Sequence, residues 1–397
     1  MIEHAGFRPY ELPLRHAWNS ARGGFAQRCG WLVWVEADGL TGYGDCAPLP
    51  AAGTETHEAA GAALARLTAS LPGQDVATGL AALDADGDTS ETPAARFALE
   101  CALTDLASRH QGLSLRDWLA PDSAPIARIS VNAMLGPLGT VRGEDLVTRH
   151  AQGFRVLKLK VGVETPASDL DALIALMRPP LVGAGLDVGL RLDANGAWSF
   201  DQARRLIERL IQLRLPIESI EEPLTEPTPE RLAALQALAP FPLALDESLP
   251  ARFATHDTSR LAGTDPAQFG VRRLVLKPAA LGGLRRTLEL ARRAQAAGIE
   301  VVVTSLVESA AGLWPTAQLA GAIASPIPQG LATADWLAAD LGRAPRPCAG
   351  RLELPDRSGS GFVPWPPAST DSGTQEARAV EPVSGDDPNP GANPSLG

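Results

Sequence analysis

From residue 126 onward the chain alternates short apolar runs with helix-length amphipathic segments, and this alternation limits its fold more than any other feature. Candidate strands fall at 127–133, 156–161, 189–192, 219–220, 243–245, 274–276, 300–304 and, weakly, near Ile327. Between them lie segments of helical length such as 201–213 and 284–297. Strict alternation over about 200 residues predicts an α/β fold, a (β/α) barrel of parallel strands covered by helices. An open doubly wound sheet is the runner-up, but no GxGxxG follows a strand to support it.

The strands end in charged residues. The second carries Lys158-Leu159-Lys160, with both lysines on one side and Leu157, Leu159 and Val161 on the other. The third runs into Asp193, the fourth into Glu221, the fifth into Asp246 and the sixth into Lys277. From Lys160 these positions are spaced 33, 28, 25 and 31 residues apart, each about one β-loop-α-loop unit. All five therefore return to the C-terminal mouth, where barrel enzymes keep their sites. Taken singly, an acidic residue at a strand end is an ordinary cap or turn residue. Five in register are not. Glu222 and Glu247 alternate away from this set and are expected outside the ligand shell.

Three carboxylates on neighbouring strands call for a cation. An all-oxygen set without His or Cys favours Mg2+, with Mn2+ possible, over zinc. Two lysines beside such an ion suit removal of a proton from carbon next to a carboxylate, with the ion stabilising the enediolate. Burial and like charge lower a lysine's pKa, which makes it a usable base. In strand order Lys160 and Lys277 flank the carboxylates, so a bound substrate would have one lysine on each face.

Residues 1 to about 50 read as β-structure, with a hairpin turn at Ala37-Asp38-Gly39-Leu40. Asn19-Ser20-Ala21-Arg22-Gly23-Gly24 reads as a loop, and together with 48–54 it is expected to close over the barrel mouth. Arg15 or Arg22 is a candidate for a second substrate carboxylate. Helices follow from Thr56 to about Leu71, and from Thr92-Pro93 to Gln111-Gly112. The expected organisation is an α+β domain over 1–125, a barrel over 126–355 and a disordered tail over 368–397, which is rich in Pro, Gly and Ser. A net charge of −11 argues against nucleic acid and anionic membranes as partners. With no spanning apolar run, no signal peptide and four scattered cysteines, a cytoplasmic location is expected. The sequence sets no oligomeric state.

These motifs resemble the enolase superfamily in its muconate-lactonizing branch, over residue 1 to about 355. That resemblance implies a modified TIM barrel, (β/α)7β, under an N-terminal α+β capping domain. It implies Lys158 and Lys160 as a KxK pair, Asp193, Glu221 and Asp246 as metal ligands, and Lys277 as the sixth-strand lysine. Gly44-Asp45-Cys46-Ala47-Pro48-Leu49-Pro50, Arg191-Leu192-Asp193-Ala194-Asn195, Thr304-Ser305-Leu306-Val307-Glu308-Ser309 and Lys277 with Gly282-Gly283 are similar to the o-succinylbenzoate synthase family. Asp45-Cys46 departs from the Glu and small apolar residue common there. The likeness implies dehydration of a small cyclohexadiene carboxylate in menaquinone synthesis. Lys160 would be the base, Lys277 a cation against the enediolate, and Lys158 an electrostatic aid. Asn195 and Arg191 would orient the site, and Ser305 and Glu308 would contact substrate. Racemisation of N-acylamino acids or dipeptide epimerisation needs the same two lysines, as a cycloisomerase could, so this inventory leaves those alternatives open. A carboxylate-binding homologue without catalysis is the remaining one.

Overall fold

The computed structural model describes residues 1–20, 23–85, 91–122, 124, 126–177, 186–250 and 265–366. The tail expected over 368–397 lies outside them.

The chain opens with an antiparallel sheet of β1 (Ile2–Ser20), β2 (Gly23–Ala37) and β3 (Leu40–Cys46). The β2–β3 turn has positive φ at Asp38 and Gly39, the geometry that suits a two-residue hairpin. The loop expected at 19–24 is instead the end of a long hairpin arm. Asn19 pairs with Gly24 and Ser20 with Gly23, while residues 21 and 22 lie outside the described set. Once β1 and β2 resume pairing beyond an irregularity between Pro13 and Trp18, the ladder satisfies backbone groups that local composition would assign to a loop.

Helices α1 (His57–Ala69), α2 (Val76–Ala85), α3 (Pro93–His110) and α4 (Leu115–Leu119) follow. Thr56 caps α1 by accepting from the Ala59 amide, and Pro93 opens α3. Helix α3 is buried on nearly every face because it packs between the sheet and the barrel. The sheet approaches it so closely that a Cβ at Gly44 would lie 1.9 Å from the Ala98 carbonyl oxygen. Only glycine fits there.

The second unit is a parallel sheet in the order β11-β10-β9-β8-β7-β6-β5. Its strands are β5 (Ala133–Pro137), β6 (Val156–Lys160), β7 (Gly189–Asp193), β8 (Ile217–Glu221), β9 (Leu243–Leu245), β10 (Arg273–Leu276) and β11 (Glu300–Val303). The single strand expected at 127–133 is two. β4 (Arg128–Ser130) pairs antiparallel with β12 (Arg351–Glu353), and the barrel proper starts at β5. The eighth position, expected near Ile327, is held by Gln329-Gly330, which bridges Val131 on one side and Thr304 on the other. Helices α5 (Gly143–Ala151), α6 (Pro166–Leu176), α7 (Phe200–Gln212), α8 (Pro229–Leu238), α9 (Pro278–Leu281), α10 (Leu284–Ala296) and α11 (Ala310–Ile323) connect or cover the strands. Thr165, Ser199 and Thr228 cap three of them.

Side-chain alternation divides each strand. Leu157, Leu159, Leu190, Leu192, Leu274 and Leu276 are fully buried in the large apolar cluster shared with the helices. The opposite parity faces the lumen, where Ala244, Val275 and Val302 make a small apolar plug. Ion pairs inside the barrel link Arg191, Glu218, Arg273 and Glu300. Burial alone would raise the Glu218 carboxyl, but Arg191 and Arg273 outweigh it and hold it at about 2.

Candidate active site

Strand register gathers the site. Lys160 pairs with Asp193, and Asp193 with Glu221. Asp246 follows β9 by one residue, and Lys277 follows β10 directly and opens α9. All five expected residues, with Lys158, line one cavity of about 280 Å³, room for a small organic acid rather than a polymer. Its floor is charged. Its walls are largely apolar, formed by Phe25, Leu49–Ala52, Leu306, Val307 and Trp336. The loop expected over 48–54 thus meets the barrel mouth. Arg15 is exposed and not part of the lining, and Arg22 lies outside the described residues.

The floor is a network of buried charges. Lys158 Nζ lies 2.9 Å from Asp193 Oδ2 and donates to Glu221 Oε2. Lys277 Nζ lies 2.7 Å from Asp246 Oδ1 and 3.4 Å from Glu247 Oε1. Lys160 Nζ donates to Asn195 Oδ1 at 2.6 Å and is 3.8 Å from Asp193 Oδ2. Lysine ammonium groups thus stand against all three carboxylates, Lys158 beside Asp193 and Glu221 and Lys277 beside Asp246. Among the described residues no three ligand-type side chains converge as a metal centre. The donor set nevertheless fits a hard divalent ion. It is three buried carboxylates from successive strands, an all-oxygen set of the kind that such an ion takes.

The lysines are pulled in opposite directions. Burial lowers the pKa of Lys160, with Lys158 and Lys277 adding to the effect and Asp193 opposing it. Of the two causes expected from sequence, burial is the larger and like charge the smaller. Burial also acts against the charged forms of Lys158 and Lys277. It is outweighed by Asp193 and Glu221 at the first and by Asp246 and Glu247 at the second, so both are raised. Asp246 is pushed well up by burial and by Glu247, against the pull of Lys277. Asp193, despite burial, is held down by Lys158 and Lys160.

The other expected residues divide. Asn195 has positive φ and spans Lys160 and Glu247, donating to the latter at 3.0 Å. Ser305 lines the wall, its Oγ 2.8 Å from Thr333 Oγ1. Arg191 sits at the floor with its donors engaged by Glu218, Asn132 and the Pro328 carbonyl. Glu308 is a correction: it does not line the cavity. Val307 takes a left-handed φ of 62°, and the Glu308 carboxylate turns back to accept from the Leu306 amide at 2.9 Å. Glu247 does reach the cavity. Expected outside the ligand shell, it pairs with Lys277 at 3.4 Å and also lines the cavity, because β9 ends at Leu245 and strand alternation no longer applies beyond it. Phe25, Met134 and Trp336 were also missed, since nothing local marks an apolar wall residue as distinct from core.

A curled parallel sheet with lysines and carboxylates along its C-terminal edge, under an antiparallel cap, defines a class. The chain belongs to the enolase superfamily, and it is an enzyme of that group: the "Enolase C-terminal domain-like" family matches residues 143–367, and "MenC, N-terminal domain" matches 4–106. Among individual relatives, it is 31% identical over 357 residues to the o-succinylbenzoate synthase of Desulfotalea psychrophila, covering 82% of this chain and 92% of that one. It is 30% identical over 317 residues to a hydrophobic dipeptide epimerase of Roseobacter litoralis, covering 78% and 84%. Its fold matches the dipeptide epimerase of Enterococcus faecalis, solved with Mg and L-Leu-L-Tyr, at a TM-score of 0.78 and 23% identity, over 91% of this chain and 99% of that one.

Proposed function

We propose that this enzyme dehydrates a hydroxycyclohexadiene carboxylate to 2-succinylbenzoate, as an o-succinylbenzoate synthase does. Asp193, Glu221 and Asp246 would hold Mg2+, with Mn2+ as the alternative. The ion supplies positive charge against the substrate carboxylate when bound. Lys160 takes the proton from the carbon next to that carboxylate. It then returns the proton to the departing hydroxyl on the same face, so that water leaves and the ring becomes aromatic. Lys277 stays an ammonium and faces the electron-rich ring from the other side. Lys158 helps keep Lys160 uncharged, and Asn195 aims its Nζ. Ser305 meets the substrate at the wall, and Arg191 acts from below, 3.7 Å from Glu221 Oε1, rather than on the substrate itself.

The observation that carries this reading is the unequal setting of the two lysines: Lys277 Nζ is ion-paired with Asp246 Oδ1 at 2.7 Å and Glu247 Oε1 at 3.4 Å, while Lys160 Nζ donates to the neutral Asn195 Oδ1 at 2.6 Å and stands 3.8 Å from Asp193 Oδ2. One is biased toward the free amine and the other toward the cation. Two-base racemisation needs both to exchange protons. A second observation bears on dipeptides: among the described lining residues every carboxylate lies on the floor, and none stands on the walls to meet a substrate ammonium. The cysteines among the described residues are unpaired, which supports a cytoplasmic location. No helix among the described residues is long and apolar enough to cross a membrane.

The test is a side-by-side assay in D2O with Mg2+, offering the cyclohexadiene acid, an N-succinylamino acid and a hydrophobic dipeptide. Loss of diene absorbance far faster than α-proton exchange in the other two is expected. Rapid exchange into the dipeptide with the diene untouched would make the enzyme an epimerase.

A further inference from the structure

We propose that Arg28 is a positioning residue for the substrate cavity, holding three of its wall segments on one guanidinium. Arg28 lies on β2, outside the lining, and is only 3% exposed. Its Nη2 donates to the Ala47 carbonyl at 2.5 Å and its Nη1 to the Pro48 carbonyl at 3.2 Å. These two residues lead directly into the wall segment Leu49–Ala52. Its Nε donates to the carbonyl of Val307, a wall residue of the barrel, at 3.3 Å. Its Cζ stands 5.4 Å from the ring centroid of Phe25, the third wall.

Two features separate this from ordinary charge balance. Among the described residues, every hydrogen bond of Arg28 goes to a backbone carbonyl. The walls it joins come from different parts of the fold: the hairpin arm, the loop after β3, and the loop after β11. Val307 also holds a left-handed φ of 62°, a conformation that a non-glycine residue keeps only when its surroundings fix it. The planar fork of a guanidinium spreads its donors over three nitrogens in fixed directions, whereas an ammonium's three donors all radiate from one atom. The gap between cap and barrel is therefore set by Arg28, and with it the shape offered to the far end of the substrate. Asp45 reinforces the junction, accepting from Tyr10 at 2.5 Å and from the Ser309 amide at 2.7 Å.

The inference rests on this cavity being the site of turnover. The test therefore has a part that needs no substrate. In Arg28→Lys, amide hydrogen exchange at Leu49, Ala52, Leu306 and Val307 should quicken together by about tenfold, with α3 amides unchanged. Arg28→Met should show a larger effect at the same amides. In turnover of the cyclohexadiene acid, KM should rise about tenfold for Arg28→Lys while kcat stays within about threefold. Unchanged wall amides and KM would overturn the proposal. So would exchange that quickens equally in α3, the mark of a residue that only stabilises the fold. If the Met variant does not fold, the Lys variant decides. A wild-type protein inactive on that acid would count against the proposed reaction, while the exchange comparison would still decide the role of Arg28.

Discussion

At the scale of single residues, the sequence was most legible where chemistry and strand parity agree. Lys158 and Lys160 share a side because strands alternate, and Asp193 and Glu221 fall in register with them for the same reason. Parity stopped being informative past the strand ends, where Glu247 reaches the cavity lining and Glu308 turns away from it. Glu308 carries a consequence for stability. It is buried, its Oε1 has no hydrogen bond, and burial lifts its carboxyl from 4.5 to about 7. A raised carboxyl means that the folded state binds more protons than the unfolded chain between these two values. Its contribution to stability is therefore fully present below about 4.5 and is lost as pH rises through about 7. Glu308→Gln cannot titrate, so it should lose less stability between pH 5 and pH 8, the gap to wild type being on the order of 3 kcal/mol. Urea unfolding at the two pH values reads this directly. Any fixed cost of burying the amide cancels in the comparison.

At the scale of elements, the helices that were read from the sequence lie within a few residues of their observed ends, and the cap and proline at Thr92-Pro93 mark one start closely, while the helix at Val76–Ala85 was not anticipated. Helix α3 was expected from Thr92-Pro93 to Gln111-Gly112 and is Pro93–His110, and the segment expected at 201–213 is Phe200–Gln212. The strands near the seam were read less closely. Nothing in residues 127–133 reveals that β4 leaves the barrel to pair with β12, more than 200 residues later, since a pairing partner is a property of the whole chain. Gly282-Gly283 shows how a motif becomes an interface. Gly283 has a φ of 147°, and a Cβ there would meet Glu100 Oε2 at 2.2 Å and Arg96 Nη1 at 2.5 Å. Arg96, Glu100, Asp84 and Arg285 form an ion-pair network that docks α3 on the start of α10. Gly283→Ala should break this dock and lower stability by at least about 2 kcal/mol, read by urea unfolding. A change under about 0.5 kcal/mol would mean that the dock yields without cost.

At the scale of the whole molecule, the barrel and the cap have different tasks. The barrel delivers the charged floor from consecutive strands, one element at a time, and this periodic placement is what a sequence can display. The cap and the loops after β3 and β11 deliver the walls, joined by contacts such as Arg28 to Val307 that span 279 positions. No local pattern announces such a contact, so the chemistry was legible and the shape of the cavity was not. The central claim is that Lys160 is the base in a metal-dependent dehydration. The measurement that tests it most directly is the rate of diene loss with Mg2+ for wild type and Lys160→Ala, with circular dichroism confirming that both are folded. The account predicts wild-type turnover that EDTA abolishes, and a rate in the variant lower by about 10⁴-fold or more. A folded Lys160→Ala protein turning over at close to the wild-type rate would contradict it.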